Sequence, residues 1–563
     1  MRRLAIALFP MLLAAQSNFD RLVDRYFNEF VFPNSPTGGT AAGFHQYDTK
    51  LEDYSQAAVQ KQTAQAHQFL AELEKFPMQG LSPAAVADWE LLIAKTHAAL
   101  LELENIQQWR RNPDVYSSGI TNSAFVIMSR NFASQDERLR SLIAREKQMP
   151  QVFTAAKANL QNPPEIYTKV AIEQLPGIVG FFQNDVPKAF DKVKDQKLLA
   201  EFKTTNAAVI SALQEYEKFL KTTLLPKSKG DFRIGADNYR KKLLYDEMVD
   251  IPLERLLEIG MADLKRNQQA FQDVSRKLDA KQTPQQLLTA LEKEHPPAGK
   301  LLQSFRDTLG GLKQFIEQKH IVTIPSLVLP ILEETPPFMR ALTTASMDTP
   351  GAYETKAKEA FFNVTLPEKN WSAQQTEELM AGFNKGVIMS TAIHEAYPGH
   401  YVQFLWVQQI QDKTRKLMGC GSNIEGWAHY TEQMMLEQGY GNGDLKLRLG
   451  QLQDALLRDA RYIVGIKMHT GQMTFEQAVD FFQKEGYQTK GTAEKETKRG
   501  TSDPTYLVYT LGKLQILKLR DDYKAKMGAK FNLQEFHDQF MKQGLTSNKL
   551  IRRALLGNDS PTL

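Results

Sequence analysis

The sequence predicts a mainly α-helical protein: a large helical body with a small β-sheet beside it. Three observations predict this. Apolar residues recur at helical spacing over most of the chain. One stretch, between about 320 and 370, changes to β-branched and apolar runs broken by prolines. The 563 residues, 42% of them hydrophobic, are enough to bury a large core.

The chain opens like an export leader, expected over residues 1–17. Arg2 and Arg3 give a positive start, Leu4 to Leu13 an apolar run interrupted by Pro10, and Ala15-Gln16-Ser17 a small-x-small cleavage site. The run is too short for a permanent span, and no later segment holds ~18 uninterrupted apolar residues. The expectation is a periplasmic or secreted product with no stable membrane insertion after leader removal. An uncleaved anchor is the alternative. The sole cysteine, Cys420, lies well beyond the leader, so it offers neither a lipid attachment point there nor an internal disulfide. A net charge of +4, with both signs interspersed, excludes a nucleic-acid-binding surface as the basis of function.

Leu91, Leu92, Ala94, Leu100, Leu101 and Leu103 mark an early helix, and the same spacing continues over 197–223 and 252–294. Ser82-Pro83 and Thr283-Pro284 read as helix starts, with a capping hydroxyl followed by a first-turn proline. Residues 320–325, 327–332 and 360–366 suit short strands, their prolines confined to ends and edges. Helices return after about 372. Residues 18–563 read as one domain, with a helical subdomain over 18–235 as its candidate division.

The chemistry concentrates in His394-Glu395-Ala396-Tyr397-Pro398-Gly399-His400. In the familiar zinc-hydrolase motif two histidines one helical turn apart hold the metal, and the glutamate after the first activates water. Here the histidines are six apart, and on a continuous helix they would face ~120° away from each other. Pro398 and Gly399 allow the backbone to break at 397–399, so that a second helix beginning near His400 returns its imidazole. Glu425, 25 residues on, is the preferred third ligand, with His429 on its face as an orienting partner or alternative ligand. Glu432 and Glu437 read as a solvated face or a structural pair.

Donors for a developing oxyanion are sought downstream. Arg461 and His469, eight apart, share a helix face, and Tyr506 and Tyr509 enter another helix. Arg520 is a candidate for a substrate carboxylate. Cys420 sits in a turn-like Met418–Ser422 stretch and reads as an incidental thiol.

The runs His394 to Gln403, Glu425 to Glu432 and Asp503 to Arg520, in this order, resemble the large bacterial family labelled domain of unknown function 885. Weaker shared features are Gly43 with Tyr47-Asp48, Gly235 with Tyr239, and Thr349-Pro350-Gly351-Ala352-Tyr353. That family is similar to the gluzincin metallopeptidases, mostly helical zinc enzymes with a His, His, Glu ligand set. The resemblance implies a zincin-like body with a deep active-site cleft, Zn²⁺ on His394, His400 and Glu425, and Glu395 as general base. It also implies a peptide substrate. The expected function is hydrolysis of short peptides, with Tyr506, Tyr509 and His469 at the oxyanion and Arg461 and Arg520 on substrate. The strand near Phe361 is expected to pair with the peptide. Two other classes fit the sequence: a non-catalytic binding protein on a relic scaffold, and a metal-dependent hydrolase of other amides or esters.

Overall fold

A computed structural model describes residues 15–336, 340, 343–368 and 370–563. The charged start and apolar run of the expected leader lie outside the described residues, and Ala15, Gln16 and Ser17 begin a helix. The protein is mainly helical with one small sheet, and no described helix is long and apolar enough to cross a membrane. The chain divides into two compact units, each assembled from three chain segments.

The first unit comprises the chain to Phe232 with Pro350–Glu359 and Asp412–Met418. Its helices include Gln56–Glu74, Pro83–Leu100, Asp114–Met128 and Gln196–Phe219. Ser82 caps its helix by accepting from Ala85 N, with Pro83 in the first turn, as its sequence signature requires. An aromatic cluster of Phe19, Tyr26, Phe27, Phe30 and Phe69 forms one core. Buried Arg145 ties the helices together, donating to the Ser123 carbonyl at 2.6 Å and to Thr40 Oγ1 at 2.7 Å. The inserted segment 350–359 is held by Tyr353 N donating to the Ala42 carbonyl and by His45 bridging Asp48 and Glu354.

The second unit comprises Arg233–Thr349, Ala360–Gln411 and Gly419–Leu563. Its elements are α1 (Leu253–Leu278), α2 (Leu301–Lys319), β1 (Ile331–Glu334), β2 (Ala345–Asp348) and β3 (Phe361–Val364). The helices that follow are α3 (Lys385–Glu395), α4 (His400–Gln409), α5 (Gly421–Glu437), α6 (Leu445–His469), α7 (Lys490–Ser502) and α8 (Val508–Met527). The sheet order is β1-β3-β2, with β1 parallel and β2 antiparallel to β3. Phe362 and Val364 of the central strand join a core that includes Phe305 of α2, Ile388 and Ile393 of α3, and Trp427 of α5. Burying a large apolar side chain of this kind is worth roughly 1.5–3 kcal/mol.

The strand expectations hold only in part. The run at 360–366 contains β3, and 327–332 reaches β1 only at its end. Residues 320–325 form no strand. Pro325 and Pro330 supply no ladder donors, and this segment is pinned by side chains instead. Trp406 Nε1 donates to the Thr323 carbonyl at 2.9 Å, and Thr323 N donates to Asp538 at 2.9 Å. Ile321 and Val322 are apolar because they enter the core. Strand β2, Ala-Ser-Met-Asp in sequence, has little strand propensity and takes its conformation from pairing with β3.

Candidate metal centre

Helix α3 starts at a firm cap: Asn384 Oδ1 accepts from Gly386 N and Val387 N. It delivers His394 and Glu395 at its last turn and stops, because Ala396 departs from helical geometry. The chain then turns back on the helix end, Gly399 N donating to the Ile393 carbonyl at 3.0 Å. A Cβ on residue 399 would fall on the carbonyl oxygens of Ile393 and His394, so only glycine fits this approach. Trp427 Nε1 donates to the Pro398 carbonyl at 2.8 Å and holds the turn from the far side. Helix α4 then opens at His400. The break falls where the Pro-Gly step predicts it.

The consequence is convergence. The His394 and His400 rings lie 4.8 Å apart, nearly perpendicular. Glu425 Oε2 stands 3.4 Å from His394 Nε2 and 3.4 Å from His400 Nε2. One ligand atom from each residue lies within 4.8 Å of the others, the one such cluster among the described residues. Ligands about 2.1 Å from a tetrahedral ion stand about 3.4 Å from each other, so the donor set and its spacing fit zinc.

Glu432, two helical turns beyond Glu425 on α5, sets the chemistry of the cluster. It is fully buried and accepts from His394 Nδ1 at 2.7 Å and from His429 Nδ1 at 3.1 Å. Arg458 Nη2 of α6 pairs with it at 3.1 Å. The bond to Nδ1 orients the His394 ring and turns Nε2 toward Glu425. Burial opposes ionisation of Glu432, but Arg458 and the two histidines outweigh it and hold the carboxylate ionised. Burial likewise opposes a charge on His394, yet bonds to Glu425 and Glu432 lift its pKa to about 9. His429, enclosed beyond these partners, is driven down to about 3 by burial and stays neutral.

Glu395 faces a cavity of about 1060 Å³ that His394 also lines. Its carboxylate makes no hydrogen bond or ion pair among the described residues, and burial raises its pKa. A free carboxylate with a raised pKa beside a metal-ligand cluster can accept a proton from water. Tyr509 of α8 closes over the cluster, its ring stacked 6.1 Å from that of His394. A direct backbone crossing sets its position: a Cβ on Gly426 of α5 would meet the Gly512 backbone of α8, and one on Gly512 would meet the Ser422 carbonyl.

Residues 36–555 match the family described as "Bacterial protein of unknown function (DUF885)". The chain belongs to the DUF885 family. Two solved structures share the fold of this DUF885 chain. A "putative lipoprotein of unknown function from Shewanella oneidensis" is 28% identical, with a TM-score of 0.79 over 96% of this chain and 99% of that one. A "putative lipoprotein from Colwellia psychrerythraea" is 18% identical, with a TM-score of 0.81 over 96% of this chain and 98% of that one. Comparison with curated proteins gives no match.

Of the other residues singled out in the DUF885 sequence, Tyr506, His469 and Arg520 lie away from the cavity. Tyr506 does not line the cavity. Its hydroxyl is buried against Gly500, without a hydrogen-bond partner among the described residues, so it is a packing residue and no oxyanion donor. His469 is also fully enclosed, its Nε2 2.7 Å from the Gly500 carbonyl, which corrects its expected place at the reaction centre. Arg520 is taken up by the Tyr430 hydroxyl at 3.4 Å and Glu437 at 3.3 Å and does not reach the cavity. Arg461 does line it, gripped by Glu496 in two bonds of 2.7 and 2.8 Å. Of the two alternatives expected for Glu432 and Glu437, both residues meet the structural pair, Glu437 with Arg520 and the fully buried Glu432 with Arg458. Cys420 is buried at the start of α5.

Arg458 is not legible as a site residue in the sequence. Its one signal is its position three residues before Arg461 on α6, which does not distinguish it from a solvated arginine.

Proposed function

We propose that this chain is an exported zinc-dependent peptidase with a zincin-like body, the cavity beside Glu395 serving as its active-site cleft. One observation carries the reading: Glu425 Oε2 is equidistant from two imidazole Nε2 atoms, one of them fixed by its Nδ1 bond to Glu432. Such a set leaves a coordination position open, as a hydrolytic zinc site requires. Zinc, when bound, polarises a scissile carbonyl and lowers the pKa of water beside it. His394, His400 and Glu425 would hold it.

The chain's own residues do the rest. Glu395 takes the proton of the attacking water and later gives it to the leaving amine. Tyr509, within reach of the same space, donates to the oxyanion formed at the carbonyl. The expected pairing of β3 with substrate is corrected, because β3 is hydrogen-bonded on both sides. The outer edge of β2 takes that role: Thr343, Thr344 and Ala345 line the cavity, and an extended peptide can add to it as a further strand.

The test is Glu395→Gln in the full chain, purified without chelator or affinity tag. Zinc should be retained at one per chain, while hydrolysis of a short-peptide mixture falls by several orders of magnitude. Turnover at the unsubstituted rate, or a chain that takes up no zinc, would dispose of the reading.

A further inference from the structure

The cavity has a second charged feature, apart from the ligand cluster, that the proposed hydrolysis leaves unused. The guanidinium carbons of Arg461, Arg458 and Arg499 lie 5.1, 5.8 and 5.9 Å from the centre of the Tyr509 ring. Arg458 is committed to Glu432 and Arg461 to Glu496. Arg499 holds Asp503 through Nε and Nη2 and also donates from Nη2 to the Tyr509 hydroxyl at 3.3 Å, leaving Nη1 unengaged among the described residues. Lys495, one turn before Arg499 on α7, also lines the cavity and makes no hydrogen bond or ion pair among the described residues. Burial depresses its ammonium pKa; Glu496 opposes the effect, and Arg461 and Arg499 add to it.

A half-buried ammonium beside two guanidiniums is stabilised by an incoming anion. Arg461, Lys495 and Arg499 face the carboxylates of Glu496 and Asp503. Among these five side chains one positive charge is left over, which suits a monoanionic carboxylate better than a doubly charged phosphate. Arg499 and the His394 ring both lie about 6 Å from the Tyr509 ring, so they stand no more than about 12 Å apart. An extended chain advances about 3.3–3.6 Å per residue.

We infer that Lys495 and Arg499 form a carboxylate subsite that receives the C-terminal carboxylate of a short peptide, placing cleavage within about three residues of that end. This rests on the peptidase reading and makes the protein an exopeptidase acting from the carboxyl terminus.

The experiment measures binding separately from turnover. Full-length, zinc-loaded Glu395→Gln protein is titrated by calorimetry with an N-acetylated alanine tetrapeptide, its C-terminal amide, and an amidated analogue ending in glutamate. The free acid should bind at least ten-fold tighter than the alanine amide. Lys495→Met in the same background should erase the difference, and Lys495→Arg should keep it. Equal binding of acid and amide, or no binding of either, overturns the subsite. An amidated glutamate peptide that binds as tightly as the free acid also overturns it, by assigning the wall to a side-chain carboxylate. Acid preference without hydrolysis by the unsubstituted protein would support the subsite and end the peptidase reading. Hydrolysis of free and amidated peptides alike would do the reverse.

Discussion

Glu432 Oε1 accepts the Nδ1 proton of His394 at 2.7 Å, and this contact decides which ring nitrogen faces Glu425. Partners of this kind typically govern metal affinity by 10–100-fold. Glu432→Gln should therefore weaken zinc binding by about that factor in a chelator competition. It should also lower the melting temperature, because Arg458 loses its buried counter-charge. Unchanged zinc affinity in a folded variant would show that the ring is oriented in some other way.

Gly399 has no room for a side chain against the end of α3. Gly399→Ala must push His400 away from His394 or unwind the last turn of α3. We expect a loss of stability of about 1–3 kcal/mol or more in urea unfolding, with sub-stoichiometric zinc. A variant with full zinc content and the parental midpoint would mean that the turn has slack that the structure does not show.

The two neighbouring tyrosines should separate cleanly. Tyr506→Phe removes a buried hydroxyl that lacks a partner among the described residues, so stability should be unchanged or slightly higher and peptide turnover unaffected. Tyr509→Phe should lower kcat by about 10²–10³-fold while leaving zinc content intact. Equal kinetic losses in the two variants would reinstate Tyr506 at the reaction centre.

In the first unit Glu146 is buried, and burial raises its pKa to about 8, the bond from Thr205 opposing. The folded chain then binds a proton there that the unfolded chain releases above its ordinary value of 4.5. This contribution is complete below 4.5 and is lost as pH rises through about 8. Each tenfold gain in proton affinity on folding is worth about 1.4 kcal/mol, so the contribution is on the order of a few kcal/mol. Urea midpoints between pH 5 and pH 8.5 should fall less steeply for Glu146→Gln than for the parent. Parallel slopes would refute the assignment.

The helices are readable because their signals are local: hydroxyl caps with a following proline at Ser82 and Thr283, and apolar spacing through Leu91 to Leu101. The break between His394 and His400 is readable too, since Pro398 and Gly399 act within a few residues. What escapes depends on partners distant in sequence. Strand β2 exists because β3 is there to pair with it, and Ile321 and Val322 are apolar for a core rather than a ladder. Glu432 and Arg458 look like ordinary surface charges until α5 and α6 enclose them together. Tyr506 and Tyr509 are indistinguishable as letters; which of them meets the cavity depends on where α8 begins, since Tyr506 lies in the turn before it and Tyr509 in its first turn.

The glycine-on-glycine crossing of α5 and α8 gives the site an unusual kind of tolerance. Glu425 sits one residue before the first glycine and Tyr509 three before the second, so their separation is gauged by main chain against main chain. Swapping one aliphatic side chain for another nearby can loosen the protein without moving the ligand relative to the ring above it. A single methyl group at either glycine wedges the two apart while leaving every functional side chain present.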